Sequence, residues 1–335
     1  MANNANGPKM KTIVTGGAGF IGSAMIWKLN GMGVGDIIAV DHLADSEKWK
    51  NLRNINFLDY IEKDKFIEMI ECGKFNNSKI DSIIHFGACS STTQNDSTYL
   101  ISNNYEYTKT LAHYSLKKKI RFIYASSAAT YGNGEKGFDD DPDIIETLKP
   151  LNMYGYSKHL FDLYALKNNL LSSIAGLKFF NVFGPNEYHK GEMCSVIYKS
   201  YSQIKETGKI DLFSSYLPQY SDGEQKRDFL YIKEAVDKAA CFIENHSING
   251  IFNIGSGKAR TWNDLAYSIF KALNKTPKIN YINMPESIKD KYQYFTEAKM
   301  KKFEEKFAHK NIKLYSLEEG VFDYVSNYLE KNFYL

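Results

Sequence analysis

The chain has 335 residues, 43% of them hydrophobic and 24% charged, too long for one small domain and suited to one large α/β domain or two domains. Lys plus Arg number 42 against 39 Asp plus Glu, a formal excess of +3, which is too small to argue for a nucleic-acid or membrane-surface partner. The four cysteines, Cys72, Cys89, Cys194 and Cys241, form no Cys-x-x-Cys pair and no zinc spacing. They read as reduced thiols of a cytosolic protein rather than a disulfide framework. Met1–Lys9 is polar and lacks the apolar segment of a secretory signal, so the first strand is expected directly after a start at Met10. No apolar run approaches the ~18–20 residues of a membrane helix.

From there strands and helices alternate. Lys11–Thr15 reads as a strand that opens into glycines, Phe20–Leu29 as a helix, Asp36–Asp41 as a strand and Lys63–Glu71 as a helix. Asp81–Phe86 is a strand, Tyr99–Lys118 a long helix whose solvated end is Lys117-Lys118-Lys119, and Arg121–Ser126 a strand. Tyr154–Leu171 is a helix and Ile174–Phe180 a strand. This alternation predicts a doubly wound, mostly parallel Rossmann sheet covered on both faces. In the second half, helices are expected at Ser195–Glu206, Lys233–Glu244, Thr261–Asn274 and Leu317–Tyr328. Strands at Phe229–Tyr231 and Ile251–Ile254 are candidates to rejoin the main sheet. No clean linker divides the chain. The expected division is a Rossmann domain over 10–180 plus about 227–260, with a smaller, discontinuous α/β substrate-binding lobe from about 181–226 plus 261–335.

Gly16-Gly17-Ala18-Gly19-Phe20-Ile21-Gly22 lies between a predicted strand and a predicted helix. In that context the glycines allow a pyrophosphate to approach the backbone, and the helix N-terminus offers free N–H groups. A phosphate loop of the Gly-Lys-Ser/Thr kind is excluded. Asp41, ~20 residues on at the end of the second strand, is placed to hold a ribose 2′-hydroxyl, which favours NAD. Lys48 and Lys63 are near enough in sequence to meet a 2′-phosphate, or are simply solvated. The residues alone leave NAD and NADP open.

Tyr154 and Lys158 stand at i and i+4, on one face of a helix. There the lysine can depress the phenol's pKa, so that a proton passes to and from a sugar hydroxyl near neutral pH. An ordinary amphipathic surface gives the same spacing. The preceding strand, however, ends Ala125-Ser126-Ser127, and strand ends are where such sheets carry their sites. Ser127 is then a hydrogen-bond partner for the reacting oxygen.

Glycine turn, strand-end serine and Tyr-x-x-x-Lys, in this order, resemble the extended short-chain dehydrogenase/reductase family from about Met10 to Tyr328. Five stretches are similar to one branch of it, the ADP-L-glycero-D-manno-heptose 6-epimerases: His85–Thr93, Tyr124–Gly132, Phe180–Pro185 with His189-Lys190-Gly191, Lys226–Phe229, and Tyr292–Thr296. The resemblance implies a cytoplasmic homo-oligomer, a pentamer among the possible forms. It implies an ADP-heptose substrate inverted at C6 through a transient ketone, with NADP as hydride carrier and NAD the lesser alternative. Tyr154 would then serve one epimer and Lys190 the other. Gripping a diphosphate is the alternative for Lys190. Besides Gly16, Gly19 and Gly22, the cofactor would be lined by Phe20, Ile21, Asp41, His42, Lys48, Lys63, Phe86, Gly87, Ala88, Cys89, Ser90, Asn103, Lys158 and Val182. Asn181, Glu192, Lys199, Phe213, Arg227 and Tyr292 would meet the sugar nucleotide. Arg227 suits a diphosphate, or else pairs with Asp228 or Glu224 at the surface.

Three features depart from that branch. His42 stands where Asn is usual, Glu192 where a small polar residue is expected, and residues 214–225 form a longer loop. A 4,6-dehydratase would need an Asp-Glu pair after the strand-end hydroxyl, where this chain has Ala128-Ala129. A UDP-hexose 4-epimerase uses the same Ser, Tyr and Lys, and His189-Lys190-Gly191 argues against it. A silent nicotinamide-sensing protein would have lost Tyr154 or Lys158.

Overall fold

The computed structural model describes residues 11–289 and 292–335; the expected extension before Met10 and the start at that residue lie outside them. Twelve strands are formed among the described residues, β1 Thr12–Thr15, β2 Ile37–Asp41, β3 Asp59–Glu62, β4 Ser82–His85, β5 Arg121–Ser127, β6 Ala175–Phe179, β7 Asn181–Phe183, β8 Ile210–Phe213, β9 Lys226–Tyr231, β10 Gly250–Ile254, β11 Ala259–Thr261 and β12 Ile279–Ile282. Seven make one sheet in the order β10-β6-β5-β4-β1-β2-β3, every pairing parallel. The chain therefore winds outward both ways from β1, and the crevice between the ends of β1 and β4 is the switch point where such sheets bind ligands. β1, β2, β4, β6 and β10 are buried along their whole length, as expected when helices cover both faces.

The long predicted helix is not uniform. It begins at Ser97 and runs to Lys118, but over Ile101–Glu106 it widens to i→i+5 hydrogen bonding. Such a turn rotates the residues after it and often marks a working site. Lys117, Lys118 and Lys119 are exposed at its end. The acid-rich β3, which the sequence pattern did not suggest, is an edge strand with only Ile61 buried, and charge at an edge discourages further pairing.

Of the two later strands expected to join the main sheet, only β10 does, beside β6. β9 instead lies between β7 and β11 in a second, three-stranded sheet. The reason lies at Phe180, where the chain leaves the main sheet and β7 starts away from it. The exposed ladder of β7 then takes Phe229–Tyr231 as its partner. β8 and β12 form a third sheet of two strands.

Candidate active site

The glycine turn is held by sterics and by one carboxylate. Gly16 has φ +68°, and a Cβ there would lie 2.7 Å from Gly87 Cα. A Cβ on Gly22 would lie 1.9 Å from the Gly16 carbonyl oxygen. The helix Phe20–Gly31 thus starts hard against β1 and leaves a cradle open beside its N-terminus. Asp41 Oδ2 accepts from the N–H groups of Ala18 and Gly19 at 2.9 and 3.0 Å. Its Oδ1 accepts from the His42 N–H and from Lys48 Nζ, both at 2.7 Å. Asp41 therefore pins the turn, and Lys48 balances its charge.

Two adjoining clefts run from this turn across the switch point. The smaller is lined by Gly16, Asp41, His42, Lys48, Lys63, Gly87, Ala88, Cys89 and Asn103, with Tyr99 and Tyr107. The other, about 530 Å³, is lined by Gly16, Gly19, Phe20, Ile21, Gly22, Phe86, Ser90, Ser127, Tyr154, Lys158, Asn181, Val182 and Lys190. Every residue expected to line a cofactor or act on protons thus borders one or the other of these two clefts, which share Gly16, Asp41, Lys48, Gly87, Ala88 and Cys89.

The helix Met153–Lys167 carries Tyr154 and Lys158, capped by the Asn152 side chain accepting from the Gly155 N–H. Tyr154 and Ser127 border the larger cleft together. Burial holds the Tyr154 pKa above the ordinary value, and Ser127 beside it acts in the opposite direction. The lowering by Lys158 expected from the sequence is not what the geometry provides, because Lys158 Nζ donates to the Ala125 carbonyl at 3.0 Å. Burial also weakens the lysine's own charge, pushing its pKa down to about 8, with Asp162 acting in the opposite direction. Asp162, one turn further on, is fully buried and accepts from Tyr124 (2.9 Å), Ser126 (2.7 Å) and Lys178 (2.8 Å).

Asn104, which sequence reasoning missed beside the named Asn103, ties this helix to the crevice. The widened turn aims it inward, where it is 1% exposed. It accepts from the Cys89 N–H at 2.8 Å and donates to the Cys89 carbonyl at 2.9 Å and to Ser157 Oγ at 3.0 Å. His85 extends the network, bonded to Thr15 Oγ1 (2.6 Å) and Thr108 Oγ1 (2.8 Å). Burial, and then the charge of Lys158, push its pKa down to about 3, so it is neutral. His189 and Met193, neither of them among the expected site residues, also line the larger cleft.

Lys190 sits on the short helical segment Tyr188–Met193, its ammonium 5.4 Å from the centre of the Phe20 ring. Among the described residues no carboxylate lies within ion-pair distance of it. Asn181 donates to the Asp228 carbonyl and to Thr296 Oγ1. The remaining substrate candidates do not border these clefts. Lys199 turns to Glu192, donating to its carbonyl at 2.5 Å, and Glu192 is exposed. Phe213 ends β8, its carbonyl accepting from Gln225. Arg227 is 6% exposed, its guanidinium 4.9 Å from the Tyr292 ring centre and 5.8 Å from that of Trp262. Neither carboxylate suggested as its partner takes it: Asp228 accepts from Ser256, Gly257 and Ala298, and Glu224 from Asn263. The long 214–225 loop packs over this cage, with the Tyr216 N–H donating to the Tyr294 hydroxyl.

Residues 12–255 match the NAD dependent epimerase/dehydratase family, and the chain belongs to that family of nicotinamide-dependent enzymes. A Nitratidesulfovibrio vulgaris protein named ADP-L-glycero-D-manno-heptose-6-epimerase is 52% identical over 317 residues, covering 95% of this chain and 97% of that one. Among solved structures, the Helicobacter pylori ADP-L-glycero-D-manno-heptose-6-epimerase superposes with a TM-score of 0.78 at 26% identity, over 95% of this chain and 96% of that one. The Thermotoga maritima UDP-glucose 4-epimerase does so equally, at 0.78 and 26%, over 97% and 100%. Backbone shape therefore does not separate the two substrate classes, and side chains must. All four cysteines are free, and among the described residues no helix is long and apolar enough to cross a membrane.

Proposed function

We propose that this chain interconverts ADP-D-glycero-D-manno-heptose and ADP-L-glycero-D-manno-heptose by transient oxidation at C6 with bound NADP, in the cytosol, supplying heptose for lipopolysaccharide core. The observation that carries the reading is one cleft bordered by Ser127, Tyr154, Lys158 and, from a separate segment, Lys190. The 52% identity to a protein of that name supports the substrate. When bound, NADP supplies the hydride acceptor and donor. Gly16, Gly19 and Gly22 make room for its pyrophosphate, and Lys48 and Lys63, with His42, face its 2′-phosphate. Lys158 orients the nicotinamide ribose.

The chain's own residues handle the proton. The two epimers present their hydroxyl on opposite faces of C6, so each face needs a proton acceptor and donor. Tyr154, steadied by Ser127, serves one face and Lys190 the other. Asn181, Lys199, Phe213, Arg227 and Tyr292, with Glu192 at the rim, hold the sugar nucleotide, and Arg227 takes the diphosphate because no carboxylate competes for it among the described residues. Residues 10–180 with about 227–260 form the cofactor domain, 181–226 with 261–335 the substrate lobe, and the chain assembles as a homo-oligomer.

Incubating purified protein with ADP-D-glycero-D-manno-heptose and resolving the C6 epimers tests this directly. Equilibration of the two is expected, and Tyr154→Phe should lose about 100-fold or more in at least one direction. No conversion, together with conversion of UDP-glucose to UDP-galactose, would replace the reading with a UDP-hexose 4-epimerase.

A further inference from the structure

The loop that carries Lys190 is anchored by its neighbours and not by its own side chains. None of the residues of Tyr188–Met193 is fully buried, whereas Asn186 and Glu187 just before them are 0% exposed. Glu187 closes the base of the loop, its two carboxylate oxygens accepting from the N–H and Oγ of Ser195, both at 2.6 Å. The Lys190 N–H donates back to the Glu187 carbonyl at 3.0 Å. Asn186 stands at φ +78°, a left-handed position that asparagine tolerates better than most residues. Its carbonyl accepts from Asn51 Nδ2 at 3.0 Å, and its own Nδ2 donates to Ser23 Oγ at 3.0 Å. The same Asn51 amide donates to the Ala18 carbonyl at 2.9 Å, so this flank of the loop is tied to the glycine turn.

A second attachment comes from far along the sequence. Leu335 is 5% exposed and packs in the main hydrophobic core, and its N–H donates to Asn186 Oδ1 at 3.0 Å. The Tyr188 hydroxyl donates to the Phe333 carbonyl at 2.8 Å. The Tyr334 and Tyr188 rings meet edge to face, 4.9 Å between centres. The Arg53 guanidinium lies 4.9 Å from the centre of the Tyr334 ring, and Arg53 ends the helical turn Glu47–Leu52 that supplies Asn51. Phe333–Leu335 therefore bridges the Lys190 loop and the segment that holds the glycine turn. Tyr188 also packs on Tyr198 and Tyr324, so without this bridge the loop should loosen rather than unfold.

We propose that Phe333–Leu335 is a strap that positions Lys190 for proton transfer, an inference that rests on the acid–base role given to Lys190 above. None of the three residues borders either cleft, so the strap is a positioning element that touches no reacting group. It acts through Asn186 and Tyr188, four and two positions before Lys190. A loop with no fully buried side chain has few contacts of its own to fix an ammonium, and a misplacement of ~1 Å in a reacting group can cost about 100-fold in rate. Anchoring Leu335 in the core gives the loop the rigidity that its own residues do not supply.

The test combines a variant lacking Phe333–Leu335 with Lys190→Met in a double-mutant cycle, and follows hydrogen exchange of the amides of 184–195 by mass spectrometry. In the wild-type background, loss of the strap should lower kcat about tenfold or more, with KM and the NADP+ Kd within about twofold. In the Lys190→Met background the same deletion should change the residual rate by less than about twofold, because the residue it acts through is already gone. Exchange across 184–195 should speed about tenfold while β1, β5 and β6 stay as protected as in wild type. Leu335→Met keeps the anchor's bulk and N–H and should retain wild-type kcat and exchange. If the deletion does not fold, Leu335→Ala, which empties the anchor's place in the core, enters the same cycle with the same expectations. Equal losses of rate in both backgrounds overturn the proposal, as do unchanged exchange across 184–195 and faster exchange there with wild-type kcat. A wild type that does not epimerise ADP-heptose overturns the functional reading alone, and the exchange arm then supports or overturns the strap without it.

Discussion

The buried Lys178–Asp162 pair beneath the proposed active-site helix offers a quantitative test. Lys178 is 1% and Asp162 0% exposed by side chain. The carboxylate accepts from Tyr124, Ser126 and Lys178, and the ammonium also donates to Thr130 Oγ1 at 2.5 Å. Asp162→Asn keeps the shape, removes the charge and turns an amide N–H₂ toward groups that were donating. Breaking a buried pair from one side costs about 3–5 kcal/mol, because the surviving charge is left uncompensated. At about 2 °C per kcal/mol for a chain of this size, Tm should fall by about 6–10 °C. Lys178→Met combined with Asp162→Asn removes both charges and should recover part of that loss, since no uncompensated charge is then left buried. Differential scanning calorimetry of wild type, both single variants and the double variant measures the coupling. A single Asp162→Asn variant melting within about 2 °C of wild type would refute the reasoning, as would a double variant no better than the worse single one. The same substitution removes the anion that supports the charge on Lys158, so the alkaline limb of its pH–rate profile should move to lower pH.

Other outcomes follow from the same geometry. Gly22→Ala sets a Cβ against the Gly16 carbonyl, which is backbone and cannot yield; a loss of about 1–3 kcal/mol in stability and about tenfold or more in nicotinamide affinity should appear in thermal melts run with and without cofactor. Lys158, with its folded-state pKa near 8 and its ordinary value near 10.5, should impose a fall in kcat as pH rises through about 8, and Lys158→Arg should move that limb above pH 10. The sign for stability is opposite: between pH 8 and 10.5 the unfolded chain binds the extra proton, so this residue's contribution makes stability rise with pH across that window, which urea titrations at several pH values would read. Lys190→Met and Lys190→Arg should both lose about 100-fold in turnover while Arg keeps substrate affinity; an Arg variant with wild-type turnover would assign Lys190 to gripping phosphate instead.

Much of this was legible in the sequence because it is local. Alternating strands and helices carry their period in neighbouring residues. A glycine turn is written in seven consecutive positions, and Tyr154 and Lys158 share a helix face by spacing alone. What stayed hidden depends on residues far apart in the chain. Asn104 faces Cys89 and Ser157 only because the helix widens at Ile101–Glu106, and no composition marks such a turn. β9 left the main sheet because β7 needed a partner, a competition between ladders that strand propensity does not contain.

Asp41 reads from sequence as a ribose ligand, yet the structure commits both its oxygens to the glycine turn, the His42 N–H and Lys48. Burial, which depends on the whole fold, raised the Tyr154 pKa where spacing to Lys158 suggested lowering. Sequence alone therefore determined the sheet type and the glycine turn between its first strand and helix, because hydrophobic period and short motifs encode them. Tertiary structure decided which charges are neutralised and by whom, Asp41 by Lys48 and Asp162 by Lys178, because a charge's environment is set by segments that meet only when the chain has folded.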